Sequence, residues 1–378
     1  MRFGFTDEQA QFRVVVRRFM RDRSPASDVR RQMASVDGYD RAVWQRLTRE
    51  LGLTGIHVPE QYGGQGFGFV ELGIVLEEMG RALLCAPFFA TAVLATQALL
   101  NGATDAQKRA LLPAIAVGER IATLAWVEAN GRWDAGGIAL TATSVDGGYL
   151  LDGTKKFVLD GHTADLVIVA ARARGTAGED GVSLFAVDAP CAGLTRRRLE
   201  TLDATRKQAE LVFNNVPARL LGDLGGGAVA LSRTLEHAAV ALACEMVGGA
   251  RALLESAVEY AKLRMQFGRP IGSFQAIKHR CADLLLEVEL ANSAACYAAA
   301  ALAEDDPEVP ALASLAKACA SDAYMRTAAE CIQIHGGIGF TWDHDTHLWF
   351  KRAKSSEVLL GDACYHRERY LQLTEAGA

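Results

Sequence analysis

The residues best suited to ligand binding lie in a stretch where two helical patterns meet. One amphipathic pattern ends near Arg264, glycine and proline interrupt it at residues 268–272, and a second pattern begins near Gln275. We expect this corner to place Arg264 and Gln275 close together, with Phe267 as an apolar anchor. A guanidinium can bind a phosphate through two hydrogen bonds, and glycine lets the backbone approach a ligand closely. From this stretch alone the preferred interpretation is a corner that serves only for packing, and a phosphate site is the alternative.

The predicted secondary structure changes along the chain from helices to strands and back to helices. Up to about residue 121 the pattern is helical, and it begins with a capping signal at Thr6 and Gln9. Later in this region it predicts a helix from Phe69 to Ala82 and another that begins with a capping threonine at Thr104. Between residues 121 and 213 the apolar runs are short and bounded by Gly or Asp, which is typical of a small antiparallel β domain. From about residue 225, long helices rich in alanine and leucine return. The predicted fold is mostly α with a small β domain, and its parts are an N-terminal all-helical domain (residues 1–121), a middle β domain (122–224) and a C-terminal helical bundle (225–378).

Composition narrows the class of protein. With 378 residues the chain is long enough for two or three packed regions, and 50% hydrophobic with 22% charged residues indicates a globular protein. A net charge of −5 predicts no general attraction to nucleic acid. The eight cysteines include no C-x-x-C pair, which favours buried free thiols in a reducing compartment. The sequence shows neither a signal-peptide pattern nor a membrane-spanning run, so we expect a cytoplasmic protein without a membrane partner.

Three separated motifs, in the right order, resemble the acyl-CoA dehydrogenase family. They are Leu53-x-Gly-Ile-x-Val-Pro-Glu-x-Tyr-Gly-Gly64, the stretch R-x-Q-F-G-x-P-I-x-x-F-Q-x-x-x-H that begins at Arg264, and Gln333-Ile-His-Gly-Gly-Ile-Gly-Phe340. The resemblance runs from about Phe5 to Tyr370. It implies the family's three-part fold, in which the C-terminal part is a four-helix bundle. It also implies FAD as the cofactor, an acyl-CoA as the substrate and electron-transfer flavoprotein as the electron acceptor.

In this family FAD bridges two subunits, and the resemblance implies which residues hold it from this side. Arg264 would pair with the pyrophosphate of a neighbour's FAD, and Gln275 would contact the adenine side. The glycines after Gln333 would let the backbone close over the same ligand. The cofactor-binding residues implied on this neighbour-facing side are Arg264, Gln266, Phe267, Gln275, Gln333, Gly336 and Gly337. For His335 we prefer a satisfied interface histidine to a catalytic role.

The β-domain half of the flavin site departs from the family pattern. The residues implied there are Trp126, Val127, Phe157 and Leu159. Val127 and Leu159 stand where the family has threonines, so neither side chain can donate a hydrogen bond to the flavin. Phe157 can still lie against a flavin face. The pattern predicts an intact neighbour-facing half of the flavin site and an altered β-domain half.

The reaction that the resemblance implies is α,β-dehydrogenation of an acyl-CoA thioester. A carboxylate removes the α-proton while the β-hydrogen leaves as hydride to the flavin. At the two positions that usually carry this carboxylate the chain has Leu360 and Ala238, and neither can accept a proton. Glu245 and Asp362 are therefore the candidate catalytic residues.

Each candidate base has alternatives. Glu245 interrupts an apolar run on the helix face of Ala238, about 10 Å further along. Four roles are open for this glutamate: a displaced base, a polar group that selects a functionalised substrate, a buried ion-pair partner or a surface residue. Asp362 follows Leu360 by two residues and is a base, a flavin contact or a helix cap. The run of residues 343–347 could be read as a metal cluster, but it resembles a family segment that holds no metal, so no metal site is predicted.

Two functions remain open. The first is a complete FAD-dependent acyl-CoA dehydrogenase with an unusual base, acting in β-oxidation of a fatty, branched, dicarboxylic or steroid side-chain acyl group. The second is a non-catalytic or half-site subunit that completes the flavin site of a different, catalytic chain. The assembly would be a homotetramer in the first case and a heteromer with a second acyl-CoA dehydrogenase chain in the other. A flavin oxidase of the same fold that acts on nitroalkanes receives little support from the residues.

Overall fold

A computed structural model describes residues 4–375 of the chain. Packing divides the chain into two compact units, each built from segments that are distant in sequence. Of the described residues, the first unit combines 4–33, 69–84 and 239–375. The second combines residues 34–68 and 85–238.

Helical, strand-rich and helical regions follow one another along the chain, and the predicted fold class is confirmed. In chain order the α-helices are α1 (Asp7–Arg23), α2 (Ala26–Ala34), α3 (Arg41–Gln45), α4 (Phe69–Ala82), α5 (Thr96–Gly102), α6 (Asp105–Ala116), α7 (Gly227–Leu263), α8 (Gln275–Ala303), α9 (Val309–His335), α10 (Thr346–Val358) and α11 (Ala363–Glu375). Wider π-helical turns follow α3 at Arg46–Glu50 and precede α5 at Phe89–Ala95. The strands are β1 (Ala122–Ala125), β2 (Thr141–Val145), β3 (Gly148–Leu159), β4 (Leu166–Ala173), β5 (Val182–Asp188), β6 (Leu194–Arg198), β7 (Gln208–Leu221), β8 (Met265–Gln266) and β9 (Arg269–Pro270).

Side-chain caps set the first turns of two helices. At α1 the Thr6 hydroxyl accepts from the Gln9 backbone N–H at 3.2 Å, and the Gln9 side chain accepts from the Thr6 backbone N–H at 2.9 Å. Thr104 and Gln107 make the same reciprocal pair at α6. Each pair satisfies two N–H groups that the helix itself leaves without acceptors. The predicted caps at Thr6 and Thr104 are confirmed.

The strands of the second unit form a seven-stranded sheet that is mostly antiparallel. A tight turn joins β2 to β3 at Gly147, whose φ of 84° is in the left-handed region that glycine tolerates. Strand β4 pairs antiparallel with β5 but parallel with β1 and β2, so the strands close on themselves. The parallel pairings were not expected, because short runs bounded by Gly show where strands begin and end but not which strands become neighbours.

A buried ion pair ties β3 to the segment that follows β1. The Lys155 ammonium donates to Glu128 Oε1 at 2.6 Å and to the Trp126 carbonyl at 3.2 Å. Glu128 also accepts from the backbone N–H groups of Ala139 and Leu140. Burial lowers the pKa of Lys155 to about 8, although the Glu128 carboxylate opposes that shift. The pair is stable only because both charges keep several hydrogen-bond partners.

The helices α4 and α7 of the first unit cross with their backbones in contact. A Cβ at Gly80 would lie 1.9 Å from the Glu245 carbonyl oxygen, and a Cβ at Gly248 would lie 1.8 Å from the Glu77 carbonyl oxygen. Neither distance is possible for a real side chain. Only glycine at both positions permits this crossing.

Ion pairs fix α1 on α4 within the same unit. Arg13 Nη2 lies 2.5 Å from Glu77 Oε2, and Arg17 donates to both oxygens of Glu78 at 2.9 and 2.7 Å. Arg251 of α7 lies 3.8 Å from the other oxygen of Glu77. Since Glu77 and Glu78 are both buried, these arginines neutralise charges that would otherwise be costly inside the protein.

By length and composition, α7 and α8 pass the criterion for a membrane-crossing helix within the described residues. The expectation that no run passes it is therefore wrong for these two helices, because alanine-rich core helices reach the mean hydropathy of membrane spans. In α7, 83% of the apolar window is buried inside the protein, as in a core helix, whereas in α8 the buried share is 39%.

The two neighbouring lysines of β3 allow a test of the buried pair. We expect Lys155→Met to lower the free energy of unfolding by about 3–5 kcal/mol, because it leaves the Glu128 charge buried without its cation. Lys156 pairs with Glu210 at 3.1 Å near the surface, so Lys156→Met should cost less than about 1 kcal/mol. Urea unfolding measures both values, and equal losses would show that the Glu128–Lys155 pair is not special.

Candidate functional site

The predicted corner between the two helical patterns is a short β-hairpin. Strands β8 and β9 pair antiparallel, and the turn between them places Phe267 at φ 53° and Gly268 at φ 76°. Two successive positive φ values are typical of a type I′ hairpin turn. The Phe267 side chain is 90% exposed and meets the Phe274 ring edge-on at 6.1 Å. The apolar anchor therefore extends away from the first unit rather than into its core.

The polar residues around this hairpin are free to bind a ligand. Arg264, Gln266, Gln275 and Gln333 are all exposed. None of their side chains has a hydrogen bond or ion pair with another residue in the range 4–375. A guanidinium without a carboxylate partner is available to an anionic group such as a pyrophosphate.

The two glycines that follow α9, Gly336 and Gly337, leave the backbone of the first unit open at its surface. Gly336 has φ 66° and ψ −146°, which only glycine adopts without strain. A Cβ added at Gly336 or Gly337 would meet no described atom within 4 Å. The backbone is thus accessible to a ligand from outside, and together with Arg264 this donor set fits one half of a dinucleotide site.

The β-domain residues implied by the resemblance differ in their exposure. Val127 and Leu159 are buried, and the nearby Thr123 hydroxyl donates to the Leu159 carbonyl at 2.6 Å. Trp126 is buried as well, whereas the Phe157 ring is 46% exposed. Because the Thr123 hydroxyl already donates to a carbonyl inside the domain, it does not replace the threonine hydroxyls that are missing at Val127 and Leu159. Of the four predicted residues, Phe157 alone presents a sizeable surface for an aromatic ligand.

The segment around Leu360, where the resemblance implies the usual base, has an unusual backbone. Leu360 is buried with φ 66°, and Gly361 follows with φ 103°. A Cβ at Gly361 would lie 2.4 Å from the Tyr365 ring. Because positive φ is costly for leucine, the surrounding structure must hold this conformation.

A buried lysine holds the segment. The Lys317 ammonium uses its three N–H groups on the Glu357 carbonyl at 3.1 Å, the Gly361 carbonyl at 2.9 Å and the Ser321 hydroxyl at 3.0 Å. Burial lowers the pKa of Lys317 to about 7, against the opposing effect of Glu357 and Asp362. The sequence analysis missed Lys317, although a single lysine in the alanine-rich run of α9 is the same signal that singled out Glu245.

A second buried group, His366, completes this network. Its Nε2 donates to the Leu360 carbonyl at 3.0 Å, and its Nδ1 has no hydrogen-bond partner among the described residues. Burial, followed by the nearby Lys317 charge, lowers the pKa of His366 to about 3. Lys317 and His366 thus hold the backbone at Leu360, whose side chain is aliphatic.

The candidate base Asp362 acts as a helix cap. Its Oδ1 accepts from the Tyr365 backbone N–H at 2.8 Å in the first turn of α11. The side chain is exposed. Of the roles left open by the sequence, this geometry supports the cap.

The candidate base Glu245 is committed to an arginine. Its Oε1 accepts from Arg352 Nη1 of α10 at 2.7 Å, and both side chains are buried. The geometry supports the buried ion pair among the roles that the sequence left open. Arg352 was missed as its partner, because sequence spacing does not show that α7 and α10 pack together.

In the second unit, three polar side chains lie beside the other usual base position. Ala238 is fully buried, and the preceding His237 hydrogen-bonds through Nδ1 to Gln97 Oε1 at 2.7 Å. Burial lowers the pKa of His57 to about 4, and the charge of the nearby His237 makes a smaller contribution in the same direction. The sequence analysis did not single out these residues.

The histidines near the end of α9 are structural. His335 Nδ1 lies 2.7 Å from the Cys331 carbonyl, and its ring stacks on Tyr260 at 4.3 Å.

Asp345, in the run read as a possible metal cluster, pairs with Arg30 at 2.7 Å. Within residues 4–375 no group of three or more His, Cys, Asp or Glu side chains is placed to hold a metal ion.

Comparisons with known proteins match all three regions of the chain. Family models described as the acyl-CoA dehydrogenase N-terminal, middle and C-terminal domains match residues 6–119, 123–216 and 225–372. The chain is 35% identical to the acyl-CoA dehydrogenase IpdE2 of Mycobacterium tuberculosis over 94% of this chain and 93% of that protein. Butyryl-CoA dehydrogenase from Megasphaera elsdenii has a similar structure, with a TM-score of 0.92, 29% identity, and coverage of 99% of this chain and 100% of that one. A chain of the ChsE4–ChsE5 complex from Mycobacterium tuberculosis is also similar, with a TM-score of 0.87, 28% identity and coverage of 98% of each chain.

The Glu245–Arg352 pair can be tested by single and double substitution. We expect Glu245→Gln to lower the free energy of unfolding by about 3–5 kcal/mol, because Arg352 loses its carboxylate inside the protein. The double variant Glu245→Met/Arg352→Met should recover most of that loss, because it removes both charges. Urea unfolding provides the values. A Glu245→Gln protein of unchanged stability would show that the ion pair is not structural.

The depressed pKa of His366 predicts a pH dependence of stability. The unfolded chain binds a proton on this side chain near pH 6.5, while the folded protein binds it only near pH 3. The free energy of unfolding should therefore fall as pH decreases from 6.5 towards 3. His366→Gln keeps a donor for the Leu360 carbonyl but does not titrate. The free energy of unfolding of this variant should therefore fall less steeply as pH decreases, because unfolding takes up one proton fewer. Parallel profiles for the two proteins in urea unfolding would contradict this origin.

Proposed function

Because the chain belongs to the acyl-CoA dehydrogenase family, whose cofactor is FAD, we propose that it serves α,β-dehydrogenation of an acyl-CoA as a half-site subunit. In this role it completes the flavin site of a different, catalytic chain. The observation that carries the proposal is an asymmetry between two sets of residues. Arg264 and its exposed neighbours lack side-chain partners among residues 4–375, whereas the carboxylates Glu245 and Asp362 are already engaged.

The neighbour-facing residues would hold FAD as the resemblance implies. Arg264 would pair with the pyrophosphate, and Gln275 would contact the adenine side. Gln333, Gly336 and Gly337 would close over the ligand, where the open backbone gives it room. When bound, FAD accepts the hydride from the β-carbon of the substrate. This chain's residues bind and orient that cofactor from one side.

The missing base supports the half-site role. A general base must lie free within hydrogen-bond reach of the proton that it removes. Leu360 has no proton acceptor, Ala238 has none, Glu245 is paired with Arg352 and Asp362 caps α11. The carboxylate would therefore come from the partner chain, at the partner's own flavin.

Exposed apolar residues supply a surface for that partner. In the first unit they cluster by sequence on the hairpin, on α8 and after α9: Phe267, Leu285, Leu286, Leu290, Phe340 and Trp342. Large exposed apolar areas are typical of surfaces that another protein covers. A heteromer of two acyl-CoA dehydrogenase chains is the proposed assembly, and the similarity to a chain of a two-protein complex, ChsE4–ChsE5, supports it. A homotetramer is the alternative.

Two further parts of the proposal follow from the family rather than from the geometry. Electron-transfer flavoprotein is the proposed acceptor of the electrons, since FAD must be reoxidised after each turnover. A cytoplasmic location is proposed because the eight cysteines are all free thiols, as a reducing compartment would keep them.

The test compares the chain alone with the chain purified together with its partner. We expect the isolated chain to contain little flavin by visible absorbance and to show no acyl-CoA-dependent reduction of an artificial electron acceptor. Co-expression with a catalytic acyl-CoA dehydrogenase chain should restore both. In that complex Arg264→Ala should lose flavin, because the pyrophosphate loses its cation.

Lys262→Ala is the matched control for this test. It removes one positive charge two residues earlier, where the lysine pairs with Glu259 on the surface, so flavin content should stay unchanged. An isolated chain that is yellow and bleaches with butyryl-CoA or octanoyl-CoA would overturn the half-site role in favour of a self-sufficient enzyme.

A further inference from the structure

A cavity of about 590 Å³ lies in the first unit among α1, α4, α7 and α8. Its apolar walls include Val70 and Ile74 from α4, Val247 from α7, and Ala295 and Ala299 from α8. This volume is in the range of small-molecule sites and far exceeds the voids of an ordinary core. No residue proposed above for flavin or for the base is among the described residues that line it.

The cavity exists because small side chains replace large ones on the inner face of α8. In the N-terminal half of this helix the buried positions are Leu284 and Val288. The buried positions that continue the same stripe are alanines: Ala291, Ala295, Ala298 and Ala299. The space is therefore encoded in the helix itself rather than left by a loop.

Facing positions on the other helices are small as well. Gly73 of α4 faces Cys244 of α7, since a Cβ at Gly73 would lie 3.2 Å from the Cys244 sulfur and 3.9 Å from the Ala299 Cβ. Both Gly73 and Cys244 line the cavity.

Two carboxylates line the cavity, Glu77 from α4 and Glu304 just after α8. Glu77 is already paired with Arg13 at 2.5 Å and with Arg251 at 3.8 Å, and Glu304 lies exposed at the rim. Burial raises the pKa of the thiols of Cys244 and Cys296, so both are neutral at ordinary pH. An anionic ligand would be repelled by these carboxylates, and a cationic ligand would find the inner carboxylate, Glu77, already neutralised. The walls thus favour an uncharged occupant.

We propose that this cavity binds an uncharged aliphatic small molecule, held between α4, α7 and α8 beside α1. Apolar walls offer water few hydrogen bonds, so an aliphatic chain is the better occupant. The binding site is separate from the flavin half-site, and the proposal holds whether or not the chain is catalytic.

The test uses 1-decanol and the full chain, with alkylation of Cys296 by N-ethylmaleimide as the readout. Cys296 lines the cavity and is half-buried, and peptide mass spectrometry follows its modification separately from that of the other cysteines. At about ten times its dissociation constant, 1-decanol should slow alkylation of Cys296 about tenfold by mass action. Cys364 is exposed and lies outside the cavity, so its rate should not change.

Two comparisons make the test specific. Decanoate and decylammonium have the same chain length but carry a charge, so each should protect Cys296 less than 1-decanol does. Ala300→Phe fills the cavity from the partly exposed rim of α8 and should abolish protection. Ala10→Phe adds the same ring at an exposed position of α1 outside the cavity and should leave protection intact.

The proposal fails if 1-decanol does not protect Cys296 up to its solubility limit, or if it protects the Ala300→Phe chain equally. Equal protection by decanoate would refute the uncharged ligand class. Ser293→Phe, at an exposed rim position, is the second blocking variant should Ala300→Phe not fold by circular dichroism.

Discussion

The first unit depends on the backbone contact between α4 and α7. Gly80 faces the Glu245 carbonyl and Gly248 faces the Glu77 carbonyl, so each helix supplies one glycine and one glutamate to the crossing. The glutamate side chains then leave the crossing and pair with arginines from other helices, Glu77 with Arg13 of α1 and Glu245 with Arg352 of α10. A side chain at either glycine would separate the helices and displace both ion pairs. One close approach thus sets the positions of four helices.

The same arrangement shows how this chain keeps acidic residues inside the protein. Each buried carboxylate discussed above is neutralised by a cation within the same unit, because an unpaired one would be too costly. Glu245, Glu77 and Glu128 all follow this rule. The Leu360 segment follows a related rule, since Lys317 and His366 satisfy the carbonyl groups of Gly361 and Leu360. The buried charges described here thus contribute to the stability of the fold.

Local sequence patterns predicted the elements well and predicted their partners poorly. The caps at Thr6 and Thr104 and the bounds of α4 follow from residues that are adjacent in the chain, so they could be read directly. One motif lies in the N-terminal region and two lie in the C-terminal region, whereas the middle region was recognised by its strand pattern. In contrast, the Arg352 partner of Glu245 and the parallel pairing of β4 join residues far apart in sequence, and no spacing rule reveals such contacts.

In the candidate site, too, the sequence predicted which residues belong together but not the structure that holds them. The exposure and missing partners of Arg264 and Gln275 agree with what their motif implies, but their true setting is a hairpin rather than a helix corner. Gly268 was read as a helix breaker, whereas its positive φ, together with that of Phe267, makes a hairpin turn. Lys317 was overlooked because its role depends on carbonyl groups about forty residues away, which only the fold brings to it.

The exposed aromatic residues of the hairpin and of the segment after α9 also bear on how long such a chain survives in a cell. In the proposed heteromer a partner covers Phe267, Phe340 and Trp342; without it they remain in contact with water, and exposed aromatic surface is what chaperones and proteases recognise. A copy without a partner would then be removed sooner than an assembled one. The amount of this chain in a cell would be set by the supply of the protein that covers it, more than by its own rate of synthesis.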